Sequence, residues 1–237
     1  MALSCLQIIQ SVCKRIGIVS PNAAITSTDQ QIIQLVAICE EEGQELAARF
    51  TWQALQEEAT FTTLATELQT SLAACAPGFK SILNETFFNR TLQRPVFGPS
   101  SPQEWQADKA SQSSGPWAWF RIKGSSIYFY PAPSAGDSCF FEYNSRNWVS
   151  TSTGGTSESW TNDADTPLLD DQLIKLGTRW RWNKTKGLDY AEDFATYERL
   201  VAEAISRDSG KPVLCMDGAS RGVKPFVVVP TGPWSIP

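Results

Sequence analysis

The sequence predicts an α+β protein, a helical bundle formed by the N- and C-terminal helices with a central antiparallel β-rich insertion and an extended C-terminal tail. Three observations predict it. Both flanks of the chain repeat apolar residues at the three- and four-residue spacing of one helix face. The middle replaces that period with short alternating runs of aromatic and β-branched residues, broken by Pro and Gly. The last stretch holds Pro212, Pro225, Pro230, Pro233 and Pro237 and follows neither pattern. The resulting boundaries are 1–56 and 161–208 for the bundle, 57–160 for the insertion and 209–237 for the tail.

The first helix is read from residues 3–16, where Leu6, Ile9, Cys13 and Ile16 form an apolar stripe. Ser20-Pro21-Asn22 is a turn. Beyond it Thr28 and Gln31 offer a capping box, and Ile32, Leu35, Cys39, Leu46 and Phe50 continue a stripe for about six turns. The polar side of this long helix carries Glu40, Glu41, Glu42 and Glu45, expected as a solvated or interface face rather than a metal or catalytic cluster.

Within the insertion, Trp119 to Tyr130 predicts a β-hairpin. Phe120 and Ile122 alternate with Arg121 and Lys123, Gly124-Ser125 supplies the turn, and Ile127 to Tyr130 returns. Pro131-Ala132-Pro133 ends the second strand, because proline cannot donate to a ladder, and Cys139 to Tyr143 is expected to follow as a third antiparallel strand. Upstream, Ser101-Pro102-Gln103-Glu104 predicts a short helix, with a serine cap, a first-turn proline and a glutamate three residues after the cap. The polar run STSTGGTSES, 150–159, is expected to be a mobile loop.

Helical periodicity then returns. Thr166-Pro167 is expected to open a helix striped by Leu169, Leu173, Leu176 and Trp180, and Gly187 to break it. Asp189 is expected to cap a last helix with Tyr190, Phe194, Tyr197, Val201 and Ile205 on one face. The tail is too apolar at Val213, at Phe226, Val227, Val228 and Val229, and at Trp234 for a purely solvated linker. It is therefore expected to dock as an extended strand on another subunit, against the plainer reading of a disordered end.

Composition narrows the chemistry. The chain has 237 residues, 42% of them hydrophobic, enough for a well-buried core with no cofactor. A net charge of −5 gives no global positive field to hold nucleic acid. There is no histidine, which removes the commonest general base, nucleophile partner and zinc ligand together. Cys5, Cys13, Cys39, Cys75, Cys139 and Cys215 lie far apart, without C-x-x-C spacing, and read as small buried hydrophobes. No phosphate loop or dinucleotide fingerprint occurs. No run approaches the roughly 18 apolar residues of a membrane span, and MALSCLQIIQSVCKRIG is too interrupted for a signal peptide.

Other residues leave alternatives open. Nine tryptophans suit a carbohydrate-binding module, but Trp119 lies in a strand and Trp180 and Trp182 in helical periodicity, so most rings are expected in the core or at a subunit interface. Glu85, Glu104 and Asp108 are the carboxylates a peptidoglycan hydrolase would need, although Glu104 already has a capping role. Lys175, Arg179, Arg181, Lys184 and Lys186 make one helix locally basic. Charge alone leaves open whether it faces DNA, a neighbour's Glu40–Glu45 or solvent. Glu41, Glu45, Arg179, Arg181 and Trp182 are the candidate inter-subunit face.

Three stretches carry a resemblance: FFNRTLQRPVFGPSSPQEW at 87–105, FRIKGSSIYFYPAPSAGDSCFFEYNSRNWV at 120–149, and TPLLDDQLIKLGTRWRWNKTKGLDYAEDFATYERLVAEAI at 166–205. They resemble tailed-bacteriophage head-to-tail adaptors of the tail tubular protein A, or podovirus-type, group, from the second helix to about residue 205. The resemblance implies a non-enzymatic homo-oligomer, a dodecameric ring below the portal protein. It joins the head to a tail nozzle or tail tube protein and lets DNA pass through its channel. It also implies assembly in the host bacterial cytoplasm, residence in the virion neck, no membrane partner, a β lobe facing the tail and a C-terminal arm reaching the portal.

Overall fold

A computed structural model describes residues 2–111 and 117–208. Its described part is a mixed α+β fold with six helices and a large, nearly closed β-sheet.

Helix α1 (Cys5–Ile16) starts at a capping box that helical spacing alone does not mark. The Ser4 hydroxyl accepts from the Gln7 N–H, and the Gln7 side chain accepts from the Ser4 N–H. Helix α2 (Gln30–Arg49) is capped by Asp29, whose carboxylate accepts from the Gln31 N–H at 2.9 Å. The expected Thr28–Gln31 box is therefore not the cap. An aspartate one residue further on satisfies the same orphan donors and adds a negative charge at the helix N-terminus. Phe50 is extended and ends the helix instead of continuing it.

The chain then lays down β1 (Gln56–Thr62), β2 (Leu68–Ser71), a single turn α3 (Leu72–Cys75), β3 (Phe79–Ile82), β4 (Phe88–Asn89), β5 (Arg94–Phe97), α4 (Pro102–Ser111), β6 (Ala118–Lys123), β7 (Ser126–Tyr130) and β8 (Ser138–Ser145). The sheet runs β1-β8-β4-β5-β6-β7-β2, with β3 also on β8. Its two end strands are consecutive in sequence, so the path curls back on itself. The β6–β7 hairpin forms as expected, Trp119 opposite Tyr130 and Lys123 opposite Ser126. The α4 capping box forms too: Ser101 N–H donates to Glu104, and Glu104 N–H to the Ser101 hydroxyl.

Strand β8 lies where the alternation predicts, but it does not extend the hairpin. It pairs antiparallel with β1, from Gln56 opposite Asn144 to Thr62 opposite Ser138, and with β3 and β4 on its other side. Its inward residues Cys139, Phe141 and Tyr143 need a wall on each side to be buried, and only distant strands supply both.

The expected mobile loop at 150–159 is a hairpin. Strands β9 (Val149–Thr151) and β10 (Gly155–Ser157) pair across a turn closed by Gly154 at φ 88°, a left-handed conformation that glycine adopts freely. Thr166 and Pro167 form β11 on the other side of β9 rather than opening a helix. Proline lacks only an N–H, which an edge strand does not need, and the Thr-Pro signal does not separate the two uses. Helix α5 (Asp171–Thr185) begins behind the Asp170 cap, and α6 (Ala191–Asp208) begins where Asp189 accepts from the Ala191 N–H.

Two hydrophobic clusters result. In the first, α1, α2 and α6 all pack on α5, burying Ile8, Ile9, Leu35, Cys39, Leu46, Ile174, Trp182 and Val201. Trp148, Val149 and Trp160 belong to this cluster, so the last part of the predicted insertion shares the helices' core. The second fills the curled sheet with Phe87, Phe120, Phe129, Phe141, Tyr143 and Ile127.

Candidate interaction site

The acidic side of α2 is not uniformly solvated. Glu42 is fully buried, between α2, α5 and α6. Its Oε2 accepts from Arg181 Nε at 2.6 Å, and Oε1 accepts from the Tyr197 hydroxyl. Burial pushes the Glu42 carboxyl above the usual range, against the pull of Tyr197 and Arg181. Burial and the facing Glu42 charge push the Tyr197 hydroxyl up as well. Gly177 is the residue that allows the node: a Cβ there would lie 2.1 Å from the Glu42 carboxyl carbon.

Glu42 therefore does not share an open face with Glu40, Glu41 and Glu45, and that expectation is overturned. Arg181 gathers Glu41, at 3.3 Å, and Glu45 around the same guanidinium. Helical spacing puts Glu42 on the polar side, but one half-buried arginine from another helix turns that carboxylate inward.

The rest of the basic helix is also partnered within the chain. Lys175 faces Asp171 at 3.8 Å, Arg179 Nε donates to Asp193 at 2.9 Å, and Lys186 reaches Gln34 and covers the Trp182 ring. Of the candidate inter-subunit residues, Glu41, Glu45, Arg179 and Arg181 thus gather on facing helices of one chain, and Trp182 is buried in their core. Glu41 remains 67% exposed at its side chain.

Most tryptophans are expected in the core or at a subunit interface, and Trp52, Trp105, Trp148, Trp160, Trp180 and Trp182 are buried. Trp117 and Trp119 are not in the core, and with Phe97 they stand exposed on one outer face. The Phe97 ring lies 5.6 Å from Trp117 and 5.3 Å from Trp119. Strand alternation adds Arg121 and Lys123 from β6 and the half-buried Tyr128 and Tyr130 from β7 to the same face. Alternation makes these residues findable as a face, but it does not say which face is covered.

The proposed hydrolase carboxylates are dispersed. Glu104 is the glutamate of the α4 capping box, and two hydrogen bonds from Ser101 hold its carboxyl below the usual range. Glu85 lines a groove of about 590 Å³ with Glu58, Phe88, Arg90, Phe140 and Glu142, while Asp108 lies on α4. Among the described residues no cluster of Cys, Asp and Glu is placed to hold a metal ion. Cys5, Cys13, Cys39 and Cys139 are buried and unpaired, and burial pushes the Cys39 and Cys139 thiols up to about 12. Thiols so protonated pack; they do not attack. No described helix is long and apolar enough to cross a membrane. Val213, Phe226, Val227, Val228, Val229 and Trp234 lie outside the described residues.

One organising element lies outside the helical and strand periodicities. The segment 161–165 ties three parts of the chain together. Asp163 accepts from the N–H groups of Ala24 and Ile25, and the Asp163 and Asp165 carbonyls accept from Leu6 and Cys5. Burial alone would raise the Asp165 carboxyl. Hydrogen bonds from Ser152, Thr161 and Asn162 instead hold it at about 2. The signal available was a short T-N-D-A-D run, typical of side chains that bond nearby backbone.

A comparison with curated proteins gives no match. The family model described as SU10 adaptor protein matches residues 3–218, which takes in both hydrophobic clusters and every described helix. It describes adaptor proteins, not enzymes, and it agrees with the resemblance to phage head-to-tail adaptors carried by residues 87–105, 120–149 and 166–205. The chain belongs to the SU10 adaptor protein family.

Proposed function

We propose that this chain is a structural virion protein, a head-to-tail adaptor that assembles as a dodecameric ring, joins the portal to the tail and continues the DNA channel. The single observation that carries the reading is the adaptor family match over residues 3–218. The architecture supports it. A helical bundle cross-tied through Glu42 and Arg181 is a stiff body suited to packing side by side around an axis, and the β lobe is a separate core that meets the tail components. Residues 209–237, with Val213, Phe226, Val227, Val228, Val229 and Trp234, act as an arm that reaches the portal and orders on binding. No chemistry is required of the chain, and the intrachain pairing of Arg179 and Arg181 makes them positioning charges rather than a DNA-binding stripe.

The test is to mix purified protein with its cognate portal and image the product by electron microscopy. A ring of added density at the portal's tail-facing end is the expected result. Its absence at saturating protein overturns the reading. The exposed Trp117 and Trp119 favour one other reading, a carbohydrate-binding tail or fibre module. Glycan binding without portal binding would put that reading in its place.

A further inference from the structure

We propose that neighbouring copies meet through their β lobes, the aromatic and cationic outer face of β5–β7 in one copy seating in the acidic, phenylalanine-lined groove of β8 in the next. The inference rests on the ring reading and adds to it the two surfaces in contact.

The first surface is unusual for a chain with a net charge of −5. Phe97, Trp117 and Trp119 expose three aromatic rings, and Arg121 and Lys123 stand beside them with no hydrogen-bond or ion-pair partner among the described residues. Aromatic anchors with an arginine are what protein interfaces concentrate, and two unpaired cations ask for an anionic counterpart.

The second surface supplies that counterpart. Glu85 and Glu142 line the groove with exposed carboxylates that have no partner among the described residues. Glu58 beside them is held by Arg90 at 2.7 Å, and Arg90 stacks 3.5 Å from the centre of the Phe140 ring. Phe88 and Phe140 form the groove's apolar floor. Cations and rings on one face thus match carboxylates and a phenylalanine-lined depression on the other.

The two surfaces are also disposed as a ring needs. Inside the curled sheet, Phe87 packs on Phe120 of β6 at 4.6 Å, on Phe129 of β7 at 5.5 Å and on Phe141 of β8 at 5.1 Å. The walls that carry these phenylalanines face each other across one core, with β4 and β5 between them in the strand order. Side chains alternate along a strand, so Arg121 and Lys123 on one wall and Phe140 and Glu142 on the other point outward, away from each other. A surface and its complement on opposite sides of one subunit make a heterologous contact, which repeats head to tail and makes a ring where the rotation between copies closes.

Two charge-reversed chains test this, Arg121→Glu/Lys123→Glu and Glu85→Lys/Glu142→Lys, each first shown to unfold like the parent chain. Each alone should need about tenfold more protein to form a ring on portal particles, because like charges then face each other at every contact. Mixed in equal amounts, the two should assemble near the parent concentration. Each face then meets an opposite charge, in a ring where the variants alternate. If either variant alone assembles as the parent does, or if the mixture assembles no better than its parts, the proposal is overturned while the ring reading stands. If the parent chain itself forms no ring, the ring reading fails and this falls with it. Trp119→Ala that abolishes glycan binding but leaves assembly untouched would likewise overturn it.

Discussion

Gly177→Ala in the middle of α5 sets the close packing of Glu42 against general helix propensity. In an ordinary helix interior the change stabilises by about 1 kcal/mol, since alanine has less backbone freedom to lose. In α5 the new Cβ would lie 2.1 Å from the Glu42 carboxyl carbon, 2.3 Å from its Oε1 and 2.5 Å from its Cγ. Relief to van der Waals distance requires a shift of roughly 1 Å or more, in a packed interior that yields little. Glu42 is held from two sides by Arg181 and Tyr197, so the shift either widens the α2–α5 contact or pulls the carboxylate out of its node. Widening the contact costs about 1–3 kcal/mol and breaking the buried ion pair about 3–5; because Glu42 is wedged directly against the new Cβ the second route applies, and a net loss of about 2–4 kcal/mol is expected after the propensity gain of about 1. In a chain of this size that lowers Tm by about 5–15 °C. Thermal unfolding followed by circular dichroism reads it. A variant as stable as the parent, or more so, would refute the claim that α2 and α5 are locked at this glycine.

Asp165→Asn should cost about 2 kcal/mol, because the folded carboxyl titrates at about 2 against 3.8 for an unperturbed one. The sign is that of a depressed acid: the stabilisation is present above about pH 4 and lost as pH falls toward 2, so urea midpoints of parent and variant should converge on acidification. Trp148→Ala removes a fully buried ring that packs 4.8 Å from Trp160, and should cost about 3–5 kcal/mol in urea denaturation. Deleting residues 209–237 should leave the unfolding transition in place and weaken portal binding severalfold, measured by co-sedimentation. Loss of folding instead would place that segment inside the core.

What was legible in the sequence was what local physics decides. The helices α1, α2, α5 and α6, the Ser101–Glu104 box and the β6–β7 hairpin depend on residues within a turn or two of each other, and they form where spacing puts them, although Phe50, Leu169 and Tyr190 of the expected stripes fall just outside their helices and Tyr190 and Phe194 stay exposed. The misreadings have a common cause. Strand β8 was recognisable from its alternation, but its partners β1, β3 and β4 are set by which walls bury Phe141 and Tyr143, a matter of distant chain. The polar run 150–159 looked unable to bury a core, and indeed buries little itself, yet Trp148 and Trp160 anchor it from either side. Glu42 belongs by spacing to a polar face and by structure to the core, because Arg181 and Tyr197 reach it from 139 and 155 residues away. The candidate interface shows the same division. Alternation marks Trp119, Arg121 and Lys123 as one side of a strand, while their exposure and the groove on the opposite wall appear only once the sheet has curled.

Whether the chain works as a ring is decided by electron microscopy of portal particles incubated with the purified protein, with class averages scored for rotational symmetry. The predicted result is a closed ring of added density, dodecameric and coaxial with the portal, leaving a continuous central channel. Bare portals at saturating protein, or chain bound as scattered copies without rotational order, would contradict it.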